Sequence, residues 1–284
     1  MISLIVPAYN EQAAIRTVVA RAAEALGQIE HEVIVVDDGS SDQTAEIARA
    51  AGAQVVRHPH NLGYGAALKS GIRAAQSDTI VIADADGTYP LDSVAALLAE
   101  YAKGFDMVVG ARTGAEYRES ALKSPMRLWL KWLVEFTAGR SIPDINSGLR
   151  VFSRKTSLEY FSHLCNTFSF TTSLTLAYMM TGKFVSYLPI AYHKRIGKTK
   201  VRLFRDSLRT LQYIVQAILY YNPLKIFLLM CGGVLAATLI GVTLATGLNW
   251  GNPLYISVGG ILMTIQVFCL GLLAELLRQI MAKE

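Results

Sequence analysis

Two uncharged apolar runs near the carboxyl terminus, Ile226 to Leu248 and Leu254 to Ala274, constrain this chain more than any other stretch of it. A helix rises about 1.5 Å per residue, so runs of about 21 to 23 residues extend about 31 to 35 Å. That is close to the ~30 Å hydrocarbon thickness of a bilayer. Helices of that length in a soluble core nearly always keep a polar face, and neither run has one. They are therefore predicted to span a membrane as a hairpin turned at Asn249-Trp250-Gly251-Asn252-Pro253. The turn carries no charge, whereas Lys225 precedes the first run and Arg278 and Lys283 follow the second, which predicts cytoplasmic flanks. Ile2 to Ala8 is too short for the apolar region of a secretory signal, and no basic residue precedes it. Residues before 223 are thus expected to form cytoplasmic structure held at the inner (cell) membrane by a multi-pass segment, 223–284.

The 284 residues are 52% hydrophobic with a net charge of +5, which suits one medium-sized domain with its own core plus a small membrane portion. The basic excess gathers at Lys194, Arg195, Lys198, Lys200, Arg202, Arg205 and Arg209, just ahead of the apolar runs, where anionic headgroups attract it. Nucleic acid is accordingly not an expected partner. Cys165, Cys231 and Cys269 show no metal-ligand spacing, and two of them lie in the apolar runs, so neither a disulfide framework nor a zinc site is expected.

The first 110 residues alternate short β-branched runs with amphipathic stretches. Strands are predicted at Ile2–Val6, Glu32–Val36, Gln54–Arg57, Thr79–Ala83 and Met107–Gly110, with helices near Glu11–Leu26, Asp42–Ala51, Gly65–Gln76 and Leu91–Tyr101. Continuous rather than alternating strand hydrophobicity implies an α/β, Rossmann-like, mostly parallel sheet covered on both faces. Ligands bind such sheets off the carboxyl ends of the strands, and three polar clusters fall there: residues 7–11, 37–42 and 84–86. Farther on, Ser124 to Gly139 reads as a helix in which Arg127 and Lys131 accompany Trp129, Trp132 and Phe136, a composition suited to a membrane interface. A second amphipathic helix, from Val201 to Tyr221, is expected to lead into the hairpin. The domains expected are thus 1–200, 201–222 and 223–284.

Asp84 and Asp86 end an apolar strand as two carboxylates one residue apart. Such a pair can hold a hard divalent cation that neutralises a diphosphate, although a solvated turn would show the same three letters. Asp42 or Ser41 can cap the following helix; Asp37 and Asp38 are left over, and Asp38 suits a hydrogen bond from a nucleobase imide or ribose hydroxyl. Glu11 could equally be a first-turn acid, and Tyr9 a packing residue.

Val6-Pro-Ala-Tyr-Asn-Glu, Val35-Val-Asp-Asp-Gly-Ser-Ser-Asp and Ala83-Asp-Ala-Asp-Gly resemble the signature blocks of family-2 glycosyltransferases with a GT-A fold. Asn61-Leu-Gly-Tyr-Gly-Ala-Ala, Val109-Gly-Ala-Arg, Asp144-Ile-Asn-Ser-Gly-Leu-Arg and His193-Lys-Arg-Ile-Gly-Lys-Thr-Lys continue the likeness, in order, to the polyisoprenyl-phosphate glycosyltransferases, over about residues 2 to 200. The resemblance implies a nucleotide-sugar donor whose base meets Pro7, Tyr9, Glu11 and Asp38, and a Mg2+ or Mn2+ ion at Asp84 and Asp86, with Asp84 also near the ribose. It further implies an acceptor phosphate gripped by Arg112 and Arg127, and a donor diphosphate reached by Arg195 and Lys198 or Lys200. Thr88 stands where the mannose synthases of this group have a metal-holding glutamine, and Thr199 where a serine is usual.

A phosphate monoester, with a second pKa of about 6, is already a dianion near neutral pH and needs no general base. The reaction expected is inverting, single-displacement transfer of a sugar to a polyprenyl (undecaprenyl or dolichyl) phosphate. A UDP-hexose, with glucose favoured, and GDP-mannose both remain open as donors, and a homo-oligomer is compatible with the chain. A processive polysaccharide synthase would need a late Gln-x-x-Arg-Trp stretch, which is absent; a binding protein with a dead site would be expected to lack Asp84 or Asp86.

Overall fold

The computed structural model describes residues 1–27, 29–114, 125–193, 203–248 and 251–281; side chains at 125–127, 130, 203–207, 209 and 210 lie outside the description. The chain divides into two compact units, Met1–Ile214 and Val215–Glu284.

In the first unit the order is β1 (Ile2–Ala8), α1 (Ile15–Leu26), β2 (His31–Asp37), α2 (Thr44–Ala50), β3 (Gln54–Arg57), α3 (Tyr64–Ala74) and β4 (Thr79–Ile82). A single 3-10 turn (Leu91–Ser93) and α4 (Val94–Tyr101) lead to β5 (Met107–Thr113). Then come α5 (Pro125–Ala138), β6 (Arg150–Ser153), α6 (Arg154–Glu159), α7 (Phe170–Met180) and β7 (Val185–Ala191); α8 (Leu203–Tyr221) crosses into the second unit. The seven strands form one sheet in the order β3-β2-β1-β4-β6-β5-β7. All are parallel except β6, which runs against both β4 and β5.

The five predicted strands are all present, and β1, β2, β4 and β5 are buried on both faces. One face buries Leu4, Val6, Val33, Val35 and Val81 under α1, α2 and α4. The other buries Ile5 and Val36, against which α3 lies so closely that a Cβ on Gly71 would strike the Ile5 side chain. Two strands lay outside the sequence expectation, β6 and β7. β1 also extends to Ala8, which puts Pro7 inside a strand rather than in the loop after it. No ladder bond is lost: the β1–β4 pairing ends at Ile5–Ile82, and alternation points the Pro7 nitrogen to that vacated side. α1 begins at Ile15, not Glu11; the amides of Glu11 and Gln12 are bound by Thr44 Oγ1 and Asp42 Oδ2 of the neighbouring loop.

α5 has apolar residues on two sides. Leu133, Val134 and Thr137 are buried, while Leu128, Trp129, Trp132 and Phe136 are exposed, the last two with stacked rings.

In the second unit, α9 (Pro223–Gly247) and α10 (Pro253–Met281), 25 and 29 residues, are long and apolar enough to cross a membrane, and few of their residues are buried. They pack on small residues. A Cβ on Gly260 would overlap the Thr238 side chain, one on Gly271 would lie 2.6 Å from Phe227 Cβ, and Cys231 Sγ donates to the Thr264 carbonyl at 3.6 Å.

Candidate active site

The chain runs outward from β1 to β2 to β3, then returns past β1 to β4, so the sheet reverses its order between β1 and β4. The crevice at the carboxyl ends there is the ordinary ligand position of such sheets. The loops after β1 and β2 are knitted together beside it. Asn10, at a positive φ of 52°, donates its amide to Ser40 Oγ at 2.9 Å, and its side-chain oxygen accepts from Ser41 N at 2.8 Å. Asp42 accepts from Thr44 N as well as Gln12 N, so it holds the first amide of α2 and ties the loops at once, although Gln43 is the residue at the cap position. Asp37 is fully buried: Oδ1 accepts from Ser40 N at 2.9 Å and Oδ2 pairs with Arg57 Nε at 3.1 Å. It closes the turn around Gly39, whose positive φ and 2.5 Å approach of a Cβ to the His60 main chain admit only glycine. Tyr9 is exposed at the rim and Glu11 is half-buried.

Asp38 is 3% exposed, and its oxygens hold the next loop. Oδ1 accepts from Leu62 N at 2.9 Å and lies 2.7 Å from His58 Nδ1; Oδ2 accepts from Gly63 N at 2.8 Å. Since a carboxylate only accepts, His58 carries its proton on Nδ1 here, and Nε2 faces Ser70 Oγ at 2.9 Å. The loop so held starts α3, whose first residue is Tyr64.

Asp84 and Asp86 both sit just past β4. Tyr64 Oη donates to Asp84 Oδ1 at 2.7 Å, and the Tyr64 ring stacks on Phe168 at 5.6 Å. Burial first, and the Asp84 charge second, push the Tyr64 phenol well above its ordinary range. Opposite, Gly148 brings bare main chain against Asp84: a Cβ there would lie 2.6 Å and 2.8 Å from the two carboxylate oxygens. Gly148 N donates to Tyr89 Oη at 2.6 Å. Asp86 is 6% exposed, and its Oδ1 accepts from Thr88 Oγ1 at 2.6 Å and Thr88 N at 3.1 Å.

β5 and β6 supply the cationic side. Arg112 makes a fork on Asp144, Nε to Oδ2 at 2.7 Å and Nη2 to Oδ1 at 2.8 Å, with the Tyr192 ring 5.3 Å from its Cζ. Burial alone would raise the Asp144 pKa, but the hydrogen bonds and charge of Arg112 outweigh it and hold the carboxyl below its usual range. Arg150 is completely buried and donates to the carbonyls of Ser147 and Ile145 and to Thr175 Oγ1. Two guanidiniums and one carboxylate leave this cluster one positive charge in excess. Finally His193 N donates to the Thr88 carbonyl at 2.9 Å, tying the segment after β7 to the loop that carries Asp86.

The family model described as glycosyl transferase family 2 matches residues 3–164, more than half of the chain and the loops after β1, β2, β4 and β5. The chain belongs to glycosyl transferase family 2. Among relatives of this glycosyltransferase, the dolichyl-phosphate hexose transferase of Haloferax volcanii is 31% identical over 205 residues, covering 72% of this chain and 87% of that one. The undecaprenyl-phosphate 4-deoxy-4-formamido-L-arabinose transferase of Pectobacterium carotovorum is 27% identical over 264 residues, covering 88% and 78%. Glucosyl-3-phosphoglycerate synthase from Mycobacterium tuberculosis, solved with Mn2+, UDP and glucosyl-3-phosphoglycerate, superposes with a TM-score of 0.63 at 22% identity. The match covers 76% of this chain and 79% of that one, and establishes the GT-A fold.

In this glycosyltransferase Pro7, Tyr9, Glu11 and Asp38 follow or end β1 and β2, Asp84 and Asp86 follow β4, and Arg112 ends β5. Arg127 lies on α5 with its side chain outside the described residues, and Arg195, Lys198 and Lys200 lie outside them altogether. The donors at β4 are carboxylate oxygens, the chemistry a Mg2+ or Mn2+ ion prefers. Among the described residues no three His, Cys, Asp or Glu side chains gather into a metal cluster. A site of this kind, two carboxylates completed by substrate phosphates and water, fits the way Mg2+ is usually bound. The roles of Tyr64, His58, Gly148, Asp144 and Arg150 were missed. Four of them stand inside the blocks that carried the family resemblance, but only their distant partners reveal what they do.

Proposed function

We propose that this glycosyltransferase moves a hexose from a nucleotide sugar to a polyprenyl phosphate at the cytoplasmic membrane face, inverting the anomeric carbon. The observation that carries the reading is Asp84 and Asp86 at the β1–β4 crevice of a chain that also has two helices fit to cross a bilayer. The names of the two relatives above, acting on dolichyl and undecaprenyl phosphate, support the acceptor class.

Above a pKa of about 6 the lipid phosphate is already a dianion, so the enzyme has no nucleophile to deprotonate. Its work is to hold two anionic groups together and to steady the departing nucleoside diphosphate. Pro7, Tyr9 and Glu11 line the base, and Asp38, with three of its roughly four acceptor positions filled, offers the remaining one to it. Asp84 and Asp86 hold Mg2+ or Mn2+, which when bound neutralises the donor diphosphate. Arg112, oriented by Asp144, and Arg127 receive the acceptor phosphate; Arg195, Lys198 and Lys200 serve the diphosphate. The exposed Leu128, Trp129, Trp132 and Phe136 of α5 suit headgroup depth, where aromatic rings are favoured. A phosphate oxygen bonds to the anomeric carbon as the bond to the nucleoside diphosphate breaks, and one in-line displacement inverts the centre.

The test is transfer of label from a panel of UDP-sugars and GDP-mannose into polyprenyl phosphate, using membranes that contain the protein. Labelling of an acid-labile lipid is expected, and it should vanish with chelator or with Asp86→Asn. Nucleotide binding without lipid labelling from any donor would overturn the reading.

A further inference from the structure

We infer that Thr88 and Tyr64 are positioning residues for the cation site, their hydroxyls setting Asp86 and Asp84 in place before a divalent ion arrives. This rests on the metal reading given under Proposed function. The same device occurs twice, from unrelated elements: Thr88 Oγ1 donates to Asp86 Oδ1 at 2.6 Å, and Tyr64 Oη to Asp84 Oδ1 at 2.7 Å. Each is a hydroxyl donating to a carboxylate oxygen at short range.

Both donors are themselves fixed. Thr88 has no exposed surface, its χ1 is stiff because it is β-branched, and its carbonyl accepts from His193 N. Its hydroxyl is directed at Asp86, the geometry of a residue that acts through that carboxylate. Tyr64 begins α3, where Asp38 holds the preceding Gly63 amide, and its ring is stacked on Phe168. Main chain at Gly148 closes off the other side of Asp84. Partners that orient metal-binding carboxylates are typically worth about 10- to 100-fold in metal affinity.

A plainer account exists for Thr88, since bonds from its N–H and O–H to Asp86 Oδ1 would also make a self-sufficient turn. Metal affinity separates the two. Mn2+ binding to the detergent-solubilised full chain would be followed by electron paramagnetic resonance, with Mn2+ alone and with Mn2+ plus UDP or GDP. Thr88→Val and Tyr64→Phe keep shape and lose the hydroxyl; each is expected to raise the Mn2+ dissociation constant about 10- to 100-fold. Thr88→Ser should restore near-native affinity, with the thermal midpoint of all three close to that of the unsubstituted chain. Native Mn2+ affinity in both Thr88→Val and Tyr64→Phe overturns the inference while leaving the metal site standing. An unsubstituted protein that binds no Mn2+ under any of these conditions overturns the metal reading and this inference together.

Discussion

Gly148 lacks a side chain where the Asp84 carboxylate needs the room. A methyl group there would lie within 2.6–2.9 Å of the carboxylate atoms, and the atoms that must yield are the free end of a side chain, so the fold can absorb it while Asp84 cannot keep its place. Gly148→Ala should therefore leave the thermal midpoint nearly unchanged and lower kcat/KM about 10- to 100-fold, a separation read by thermal shift beside the transfer assay. Arg112 is the opposite case. Asp144, 2% exposed, depends on it, and Arg112→Ala would strand a buried carboxylate at a cost of about 3 kcal/mol. Because Asp144's folded pKa is depressed, the pair's contribution is complete above the unfolded value of about 3.9 and fades as pH falls through the folded one. Thermal midpoints of the native and Arg112→Ala proteins should thus differ at pH 7 and begin to converge as the pH falls below about 4. The carboxylates at 84 and 86 were legible because an apolar strand ended on them. Tyr64 and Gly148 were not, because their roles rest on contacts across 20 and 64 positions of sequence, and no local pattern encodes those.

Among elements, the strands built on short β-branched runs between amphipathic stretches were the readable ones. β6 escaped because it opens on a fully buried arginine; β7 escaped because it holds Ser186, Tyr187 and Pro189, neither continuous nor alternating. α5 was readable from its tryptophans and 3.6-residue period. The helices α9 and α10 were readable as apolar runs, but their packing was not, since it depends on which glycines meet a neighbour. Gly259 has open space around it, whereas Gly260 lies against Thr238. Gly260→Val should lower the thermal midpoint of the detergent-solubilised protein by several degrees, and Gly259→Val should leave it unchanged; equal effects would refute this packing.

At the scale of the whole molecule, the proposed orientation gives residues 249–253 to the far side of the membrane and every other loop to the cytoplasm. With Cys269 changed to Ser, Asn252→Cys should react with a membrane-impermeant maleimide added to intact cells, while a cysteine introduced at exposed Tyr9 should react only after lysis. Labelling at both positions from outside would reverse the topology. The reversed strand in the sheet carries a last consequence, for anyone redesigning this enzyme. Since β6 runs against β4, Arg150 stands beside Ile82 and Ser153 beside Thr79. Residues added ahead of β6, within 139–147, would build up the wall of the crevice, and residues added after Ser153 would accumulate on the opposite rim. Loop grafts meant to change the acceptor belong on the first side, and purification tags or fusion points that must leave turnover alone belong on the second.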